Sequence, residues 1–157
     1  MTDPKTLSSV AEFHKTFQHP ILDKPTIPSQ TRCDLRVALI AEELKELEEA
    51  IVNKDLIEIA DALCDIQYVL SGAVLEFGFK DKFSDLFEEV QRSNMSKACK
   101  SEEEAKLTQA HYLEKGVKSY YKEIDGLYLV FRDGDHKTLK SINYSPADLK
   151  KILEKGA

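Results

Sequence analysis

The 157-residue sequence contains few cysteines and has no long apolar run. Its three cysteines form no Cys-x-x-Cys pair, and an odd, scattered set is a poor disulfide framework that favours a reducing compartment. Cys64 lies in an apolar run, so we expect it in the core. The first ten residues lack the apolar core of a signal peptide, which predicts a cytoplasmic protein. No stretch reaches the roughly 18 apolar residues of a membrane span, so we expect no membrane partner.

The sequence also lacks an excess of basic residues. Lysine and arginine total 22 against 28 aspartate and glutamate, which gives a net charge of -6 and a pI of about 5.3. A general nucleic-acid binder usually presents a basic face, so we expect no nucleic-acid partner. A small anionic substrate remains compatible with this charge if a metal ion supplies positive charge.

Apolar residues at helical spacing predict a mainly α fold. We predict helices over residues 7–18, 31–53, 56–77, 80–98 and from 101 to about 113. Ser8 or Ser9 would cap the first helix, and Ser101 would open the last one as part of a capping box. Three prolines between residues 20 and 28 exclude a helix there and predict an extended segment wrapped over the domain.

The character of the sequence changes at Gly116. Aromatic and aliphatic residues with Asp-Gly turns at 125–126 and 133–134 predict a β-hairpin or three-stranded meander over residues 118–143. Ser145 and Pro146 predict the N-cap and first position of a terminal helix. We therefore expect an all-α domain over residues 1–115 and a small β-rich appendage with a terminal helix over residues 116–157. The aromatic residues of the appendage favour a small core or a subunit interface over base stacking.

The helix predicted over residues 56–77 combines an apolar surface with acidic residues. Apolar side chains occupy nearly every side of it, which is typical of a buried helix. Glu58, Asp61 and Asp65 nevertheless share one face, because they are three and four residues apart. No lysine or arginine lies between residues 54 and 80. Buried carboxylates without counter-charges are unfavourable, so they need protons, partners from elsewhere or a metal ion.

The preceding helix contains a matching acidic run, AEELKELEEA. Glu43 and Glu46 share a face, and the short connection makes the two helices antiparallel neighbours. Two facing acidic stripes would repel each other unless cations lay between them, and oxygen ligands suit Mg²⁺ or Mn²⁺. Taken singly, the run is more often a solvated face, and Glu58 could complete a capping box with Asp55. Together the two stripes favour metal binding.

Glu43-x-x-Glu46 followed by Glu58-x-x-Asp61 resembles the ExxE…ExxD signature of the MazG-like, all-α NTP pyrophosphohydrolase superfamily. That superfamily includes phosphoribosyl-ATP pyrophosphohydrolases and dimeric dUTPases. The segments LIAEELKELEEAI and EIADALCDIQYVLSGAVLEFG resemble its two motif helices. VQRSNMSK and AEFHKTF resemble segments of its phage and bacterial branch. The resemblance covers roughly residues 7–100 and implies a MazG-like bundle of four or five helices.

The resemblance also implies site residues. The implied Mg²⁺ ligands are Glu43, Glu46, Glu58 and Asp61, with Glu42 and Asp65 as auxiliary ligands or water-orienting groups. Either Glu43 or Glu46 would act as the general base.

In VQRSNMSK, Asn94 and Lys97 would contact the nucleotide, with Lys97 on phosphate and Arg92 as a helper. Lys97 could instead be an ordinary surface lysine near a helix C-terminus, where the helix dipole also favours it. His14 could approach the phosphates, although a lone histidine on a helix is more often structural.

The function that the resemblance implies is hydrolysis of a (deoxy)nucleoside triphosphate or related nucleotide to the monophosphate and pyrophosphate. Water activated by Mg²⁺ would attack the α-phosphate. A unit of this kind usually completes its core with a second copy, so we expect a homodimer or homotetramer. The alternative is a non-catalytic helical assembly module whose acidic stripes pair with basic partners. A di-iron carboxylate bundle is excluded, because the sequence has no Glu-x-x-His.

Overall fold

A computed structural model of the chain describes residues 4–155 and shows a mainly helical fold, as the sequence predicted. Its helices are α1 (Thr6–Thr16), α2 (Gln30–Asn53), α3 (Leu56–Glu76), α4 (Phe83–Met95), α5 (Glu102–Glu114) and α6 (Leu149–Glu154). The strands β1 (Ser119–Ile124) and β2 (Leu127–Arg132) form an antiparallel hairpin between α5 and α6. Within the described residues, no helix is long and apolar enough to cross a membrane.

The chain divides into two compact units, one up to Phe83 and the other from Ser84 onward. The first unit contains α1, α2 and α3, and the second contains most of α4 with α5, the hairpin and α6. From the sequence we expected an all-α domain over residues 1–115 and an appendage over residues 116–157. That division describes functional domains rather than compact units, and it stays a prediction.

A two-residue connection reverses the chain between α2 and α3. Lys54 ends α2 in the left-handed conformation, with φ of 56°. Asp55 then caps α3, because its carboxylate accepts hydrogen bonds from the backbone N–H groups of Ile57 and Glu58 at 3.0 and 3.2 Å. The two long helices therefore pack as antiparallel neighbours, with α1 against α3.

The proline-rich segment between α1 and α2 contains no helix, as predicted, and it is hydrogen-bonded to the end of α3. The N–H groups of Leu22 and Thr26 donate to the carbonyl oxygens of Leu75 and Phe77 at 3.0 and 3.1 Å. Gly78 follows α3 with φ of +72°, and a Cβ atom there would lie 1.9 Å from the carbonyl oxygen of the segment's Lys24. Both the conformation and the close approach require glycine at this position.

The beginning of α1 differs from the prediction. The helix begins at Thr6, so neither Ser8 nor Ser9 caps it. The hydroxyl of Ser8 instead donates to the carbonyl oxygen of Lys5 at 3.2 Å, which is a bond typical of a serine inside a helical turn.

In the second unit, Ser101 caps α5 as predicted. Its hydroxyl accepts from the N–H of Glu104 at 3.1 Å, and the Glu104 carboxylate accepts from the N–H of Lys100 at 2.9 Å. The predicted Asp-Gly turn joins the two strands, with φ of 53° at Asp125 and 78° at Gly126. Positive φ at both positions is the signature of a type I′ hairpin turn.

The hairpin packs with α5 on a small core, and the helix that ends the chain begins later than predicted. Buried Cys99, Ala105, Val130 and Leu139 form this core. Asp148 caps α6, so the prediction of Ser145 and Pro146 as its start is wrong. These two residues are used instead to attach the segment to α4, because the Ser145 hydroxyl and the Pro146 carbonyl both accept hydrogen bonds from the Arg92 guanidinium at 3.0 Å.

Candidate active site

The acidic residues singled out in the sequence lie along the paired helices of the first unit. Glu42, Glu43 and Glu46 lie on α2, and Glu58, Asp61 and Asp65 lie on α3. Glu43 and Asp65 are partly buried, whereas the other four are exposed.

The expectation that α3 is buried on all sides is wrong for the single chain. Its first turns are open to solvent, with Leu56 77% and Ile57 79% exposed, and Cys64 is exposed rather than in the core. Among the described residues of the first unit, α1 and α2 are the helices that pack on α3, and they leave part of its apolar surface exposed. Because these carboxylates are mostly exposed, their burial is not by itself a reason to expect a compensating cation.

Glu43 of α2 is close enough to carboxylates of both helices to be affected by their charges. Burial raises the pKa of its carboxyl group, and the negative charges of Asp65, Glu46, Glu42 and Asp61 raise this pKa further. The helix pairing thus brings carboxylates from α2 and α3 into one electrostatic neighbourhood. The basic residue within the run, Lys45, lies 3.4 Å from the more distant Glu49.

Glu58 does not complete a capping box. The backbone N–H of Asp55, which such a box would engage, donates to the carbonyl oxygen of Ala50 at 3.0 Å. The Glu58 side chain is exposed one turn before Asp61 on the same face of α3. Its carboxylate is therefore accessible to a ligand.

The donor set fits a hard divalent cation in its chemistry. Carboxylate oxygens are the ligands that Mg²⁺ and Mn²⁺ prefer. In the described part of the chain, no three acidic, histidine or cysteine side chains converge closely enough to hold a metal ion. The metal ligands and the cofactor therefore stay predictions.

The residues expected to contact the nucleotide lie in the second unit. Lys97 Nζ donates to Asn94 Oδ1 at 2.8 Å, so these two side chains are in contact at the C-terminal end of α4. Arg92 is engaged elsewhere: its Nε lies 2.7 Å from Glu89, and the guanidinium also holds the segment before α6. The Arg92 guanidinium and a backbone N–H together lower the pKa of Glu89 to about 2. Arg92 therefore attaches the segment before α6, and its contact with the nucleotide stays a prediction.

The first unit also contains a buried ion cluster that the sequence analysis did not predict. Glu76, in the last turn of α3, is 1% exposed and accepts hydrogen bonds from both Arg32 and Arg36 of α2. The two guanidinium groups lower the pKa of Glu76 against the opposing effect of burial. A sequence signal existed: Arg32 and Arg36 are one turn apart at the start of α2, which antiparallel pairing sets beside the end of α3.

His14 completes this cluster from α1. Its Nδ1 lies 2.9 Å from the carbonyl oxygen of Pro20 and its Nε2 lies 3.4 Å from Arg36. With Nδ1 donating, Nε2 accepts from the guanidinium, so the ring is neutral. Burial lowers the pKa of His14, and the nearby Arg36 charge adds to this effect. Gly72 leaves room for the cluster, because a Cβ there would lie 2.7 Å from Arg36 Nη1. His14 is therefore a structural residue.

Comparison with known proteins agrees with this arrangement of helices. The family model described as phosphoribosyl-ATP pyrophosphohydrolase matches residues 10–94, a range that includes both acidic helices and nearly all of α4. The chain belongs to this family of the MazG-like all-α superfamily. Membership indicates a pyrophosphohydrolase that acts on a nucleotide. A search of curated proteins found no match to the chain.

Proposed function

We propose that the chain hydrolyses a (deoxy)nucleoside triphosphate or a related nucleotide to the monophosphate and pyrophosphate, with Mg²⁺ or Mn²⁺ as cofactor. The observation that supports this proposal most directly is the environment of Glu43. A partly buried glutamate is surrounded by the charges of four other carboxylates, drawn from both helices. Such repulsion disfavours the metal-free state and is relieved when a cation binds. The family assignment supports the same reaction class.

The acidic residues take two roles in this proposal. Those that would hold the cation are Glu43, Glu46, Glu58 and Asp61, with Glu42 and Asp65 as auxiliary ligands. A bound Mg²⁺ supplies the positive charge that lowers the pKa of an attacking water and neutralises charge on the phosphoryl oxygens. Either Glu43 or Glu46 would act as the general base that takes the proton of the attacking water.

The nucleotide contacts are proposed at the end of α4. Lys97 would hold a phosphate oxygen as a point charge. The Asn94 amide offers both a donor and an acceptor, so it can read a base edge or a sugar hydroxyl. The existing bond between the two side chains supports a shared role, since the asparagine oxygen holds the lysine ammonium in place.

A turnover assay tests the reaction. Nucleoside and deoxynucleoside triphosphates and phosphoribosyl-ATP are incubated with the protein and Mg²⁺, and pyrophosphate is measured. Glu46→Gln and Asp61→Asn should abolish turnover without loss of folding. Glu48→Gln is the matched control, since it removes an exposed charge from the same run outside the proposed ligand set. Near-normal turnover in either ligand variant would refute the ligand assignment.

The same assay, together with a melting experiment, distinguishes an enzyme from a non-catalytic helical assembly module. An assembly module would release pyrophosphate from none of these nucleotides, and Mg²⁺ would not change its melting temperature. Binding of Mg²⁺ to the native state should instead raise the melting temperature of the wild-type protein.

We also propose that the protein is a homodimer or homotetramer. Apolar side chains are exposed on the paired helices of the first unit, among them Val37, Val52, Leu56, Ile57 and Leu63. A second copy of the same helices would cover them and complete the core. Analytical ultracentrifugation at micromolar concentration should show a dimer or tetramer. A monomer would contradict the proposal.

A further inference from the structure

The segment between the hairpin and α6 returns to the C-terminal end of α4. The backbone N–H of Ser141 donates to the carbonyl oxygen of Lys97 at 3.1 Å. Three residues later, the hydroxyl groups of Tyr144 and Ser93 share a hydrogen bond of 2.9 Å. Ser93 is buried, with 4% of its surface exposed. These two attachments hold Tyr144 beside the C-terminal end of α4.

Two lysines meet at this position without carboxylate partners. Lys140 Nζ lies 4.2 Å from the centre of the Tyr144 ring, and Lys97 Nζ is bonded to the neutral amide of Asn94. Among residues 4–155, neither lysine forms an ion pair. The pKa of Tyr144 is lowered by its hydrogen bond to Ser93 and by the charges of Lys140 and Lys97, so both charges act at the same place.

Two carboxylates of the same unit have other partners. Glu104 accepts from the Ser141 hydroxyl and from the backbone N–H of Lys100. Glu89 is paired with Arg92. Neither Glu104 nor Glu89 therefore forms an ion pair with Lys97 or Lys140.

We propose that Lys140 and Tyr144 complete, together with Asn94 and Lys97, an anion subsite that takes the phosphate chain of the nucleotide or the pyrophosphate released from it. Two ammonium groups supply point charges for phosphate oxygens. With Ser93 donating to the Tyr144 oxygen, the tyrosine O–H is available to donate to the anion. Lys140 and Tyr144 lie beyond the family match, which ends at residue 94. The identification of the anion as a phosphate chain rests on the proposed function.

The experiment is isothermal titration calorimetry, in which inorganic pyrophosphate is titrated into the full-length protein without Mg²⁺. Lys140→Ala should raise the Kd about 10-fold or more, which corresponds to the loss of one charged hydrogen bond. Tyr144→Phe should raise it several-fold, and Lys140→Arg should restore most of the affinity. Lys122→Ala is the matched control, because the Lys122 ammonium lies 5.7 Å from the centre of the Tyr120 ring in the same unit. It should leave the Kd unchanged.

The possible results distinguish the anion subsite from the proposed nucleotide hydrolysis. If the wild-type protein does not bind pyrophosphate, or if Lys140→Ala and Tyr144→Phe behave like the control, the subsite is refuted even when nucleotides are hydrolysed. If the two variants lose pyrophosphate affinity while no nucleotide is hydrolysed, the subsite stands and the proposed function fails. Circular dichroism of each variant confirms that it is folded.

Discussion

Glu76 offers the sharpest test of how the first unit is held together. Its carboxylate is shared by the guanidinium groups of Arg32 and Arg36, and the glutamate is almost completely inaccessible to solvent. Glu76→Gln keeps the size of the side chain and removes its negative charge. The two arginines would then lie close together without the anion that compensates them.

The expected loss of stability follows from burial. Removal of one partner from a buried ion pair lowers the free energy of unfolding by about 3–5 kcal/mol. Arg36 is 7% exposed, its Nε already has no hydrogen-bond partner, and the neighbouring His14 is neutral. Glutamine still provides one acceptor oxygen, so we expect the lower end, about 3 kcal/mol.

Urea unfolding followed by far-ultraviolet circular dichroism measures this change. With a slope of about 2 kcal/mol/M, the midpoint should fall by about 1.5 M. Asp23→Asn is the matched control, because it breaks an ion pair with Lys80 in the same unit while the Asp23 side chain is 85% exposed. Exposed pairs contribute little, so its midpoint should stay close to that of the wild type.

Equal midpoints for Glu76→Gln and Asp23→Asn would refute the reasoning. Such a result would mean that water reaches the Glu76 cluster or that the arginines find other acceptors. A change in slope without a change in midpoint would indicate a different unfolded state rather than a lost ion pair.

Three further predictions concern single positions. Gly78→Ala should lower the free energy of unfolding by more than about 1 kcal/mol, because φ is +72° and the new Cβ would overlap the carbonyl oxygen of Lys24. Unfolding free energy should fall as the pH drops below 6.5, because the folded pKa of His14 is lowered and the unfolded chain binds its proton first; His14→Gln should reduce this slope. Lys97→Ala should lower kcat/KM by about 10- to 150-fold, whereas Asn94→Ala should change the preference among nucleotides more than the overall rate.

Each of these predictions has its own control and contrary result. Gly116→Ala introduces the same strain at φ of +76° with no atom within 4 Å, so equal losses at both glycines would show that the overlap has no effect. An unchanged pH slope in His14→Gln would assign the slope to other groups. If Lys97→Ala and Asn94→Ala both had small, equal effects on every nucleotide, the end of α4 would not belong to the substrate site, and the acidic helices would still require their own test.

Local features of this protein followed from the sequence alone. The apolar periodicity of α2 and α3 and the Asp-Gly turn of the hairpin depend on residues a few positions apart, so the sequence predicted them correctly. The acidic stripes were found for the same reason, since residues three and four apart share a helix face. That they hold a metal ion stays a prediction.

Contacts between distant residues were decided by the tertiary structure. Glu76 and Arg32 are 44 residues apart, and their bond exists because the end of α3 packs against the start of α2. Ser145 and Pro146 look like a helix start locally, yet their hydrogen bonds to Arg92, more than 50 residues away, hold them in another conformation. The sequence also suggested a buried α3, because it shows how apolar a helix is and not which surfaces cover it. Local pattern determines the elements, whereas burial and long-range ion pairs arise only when the elements pack.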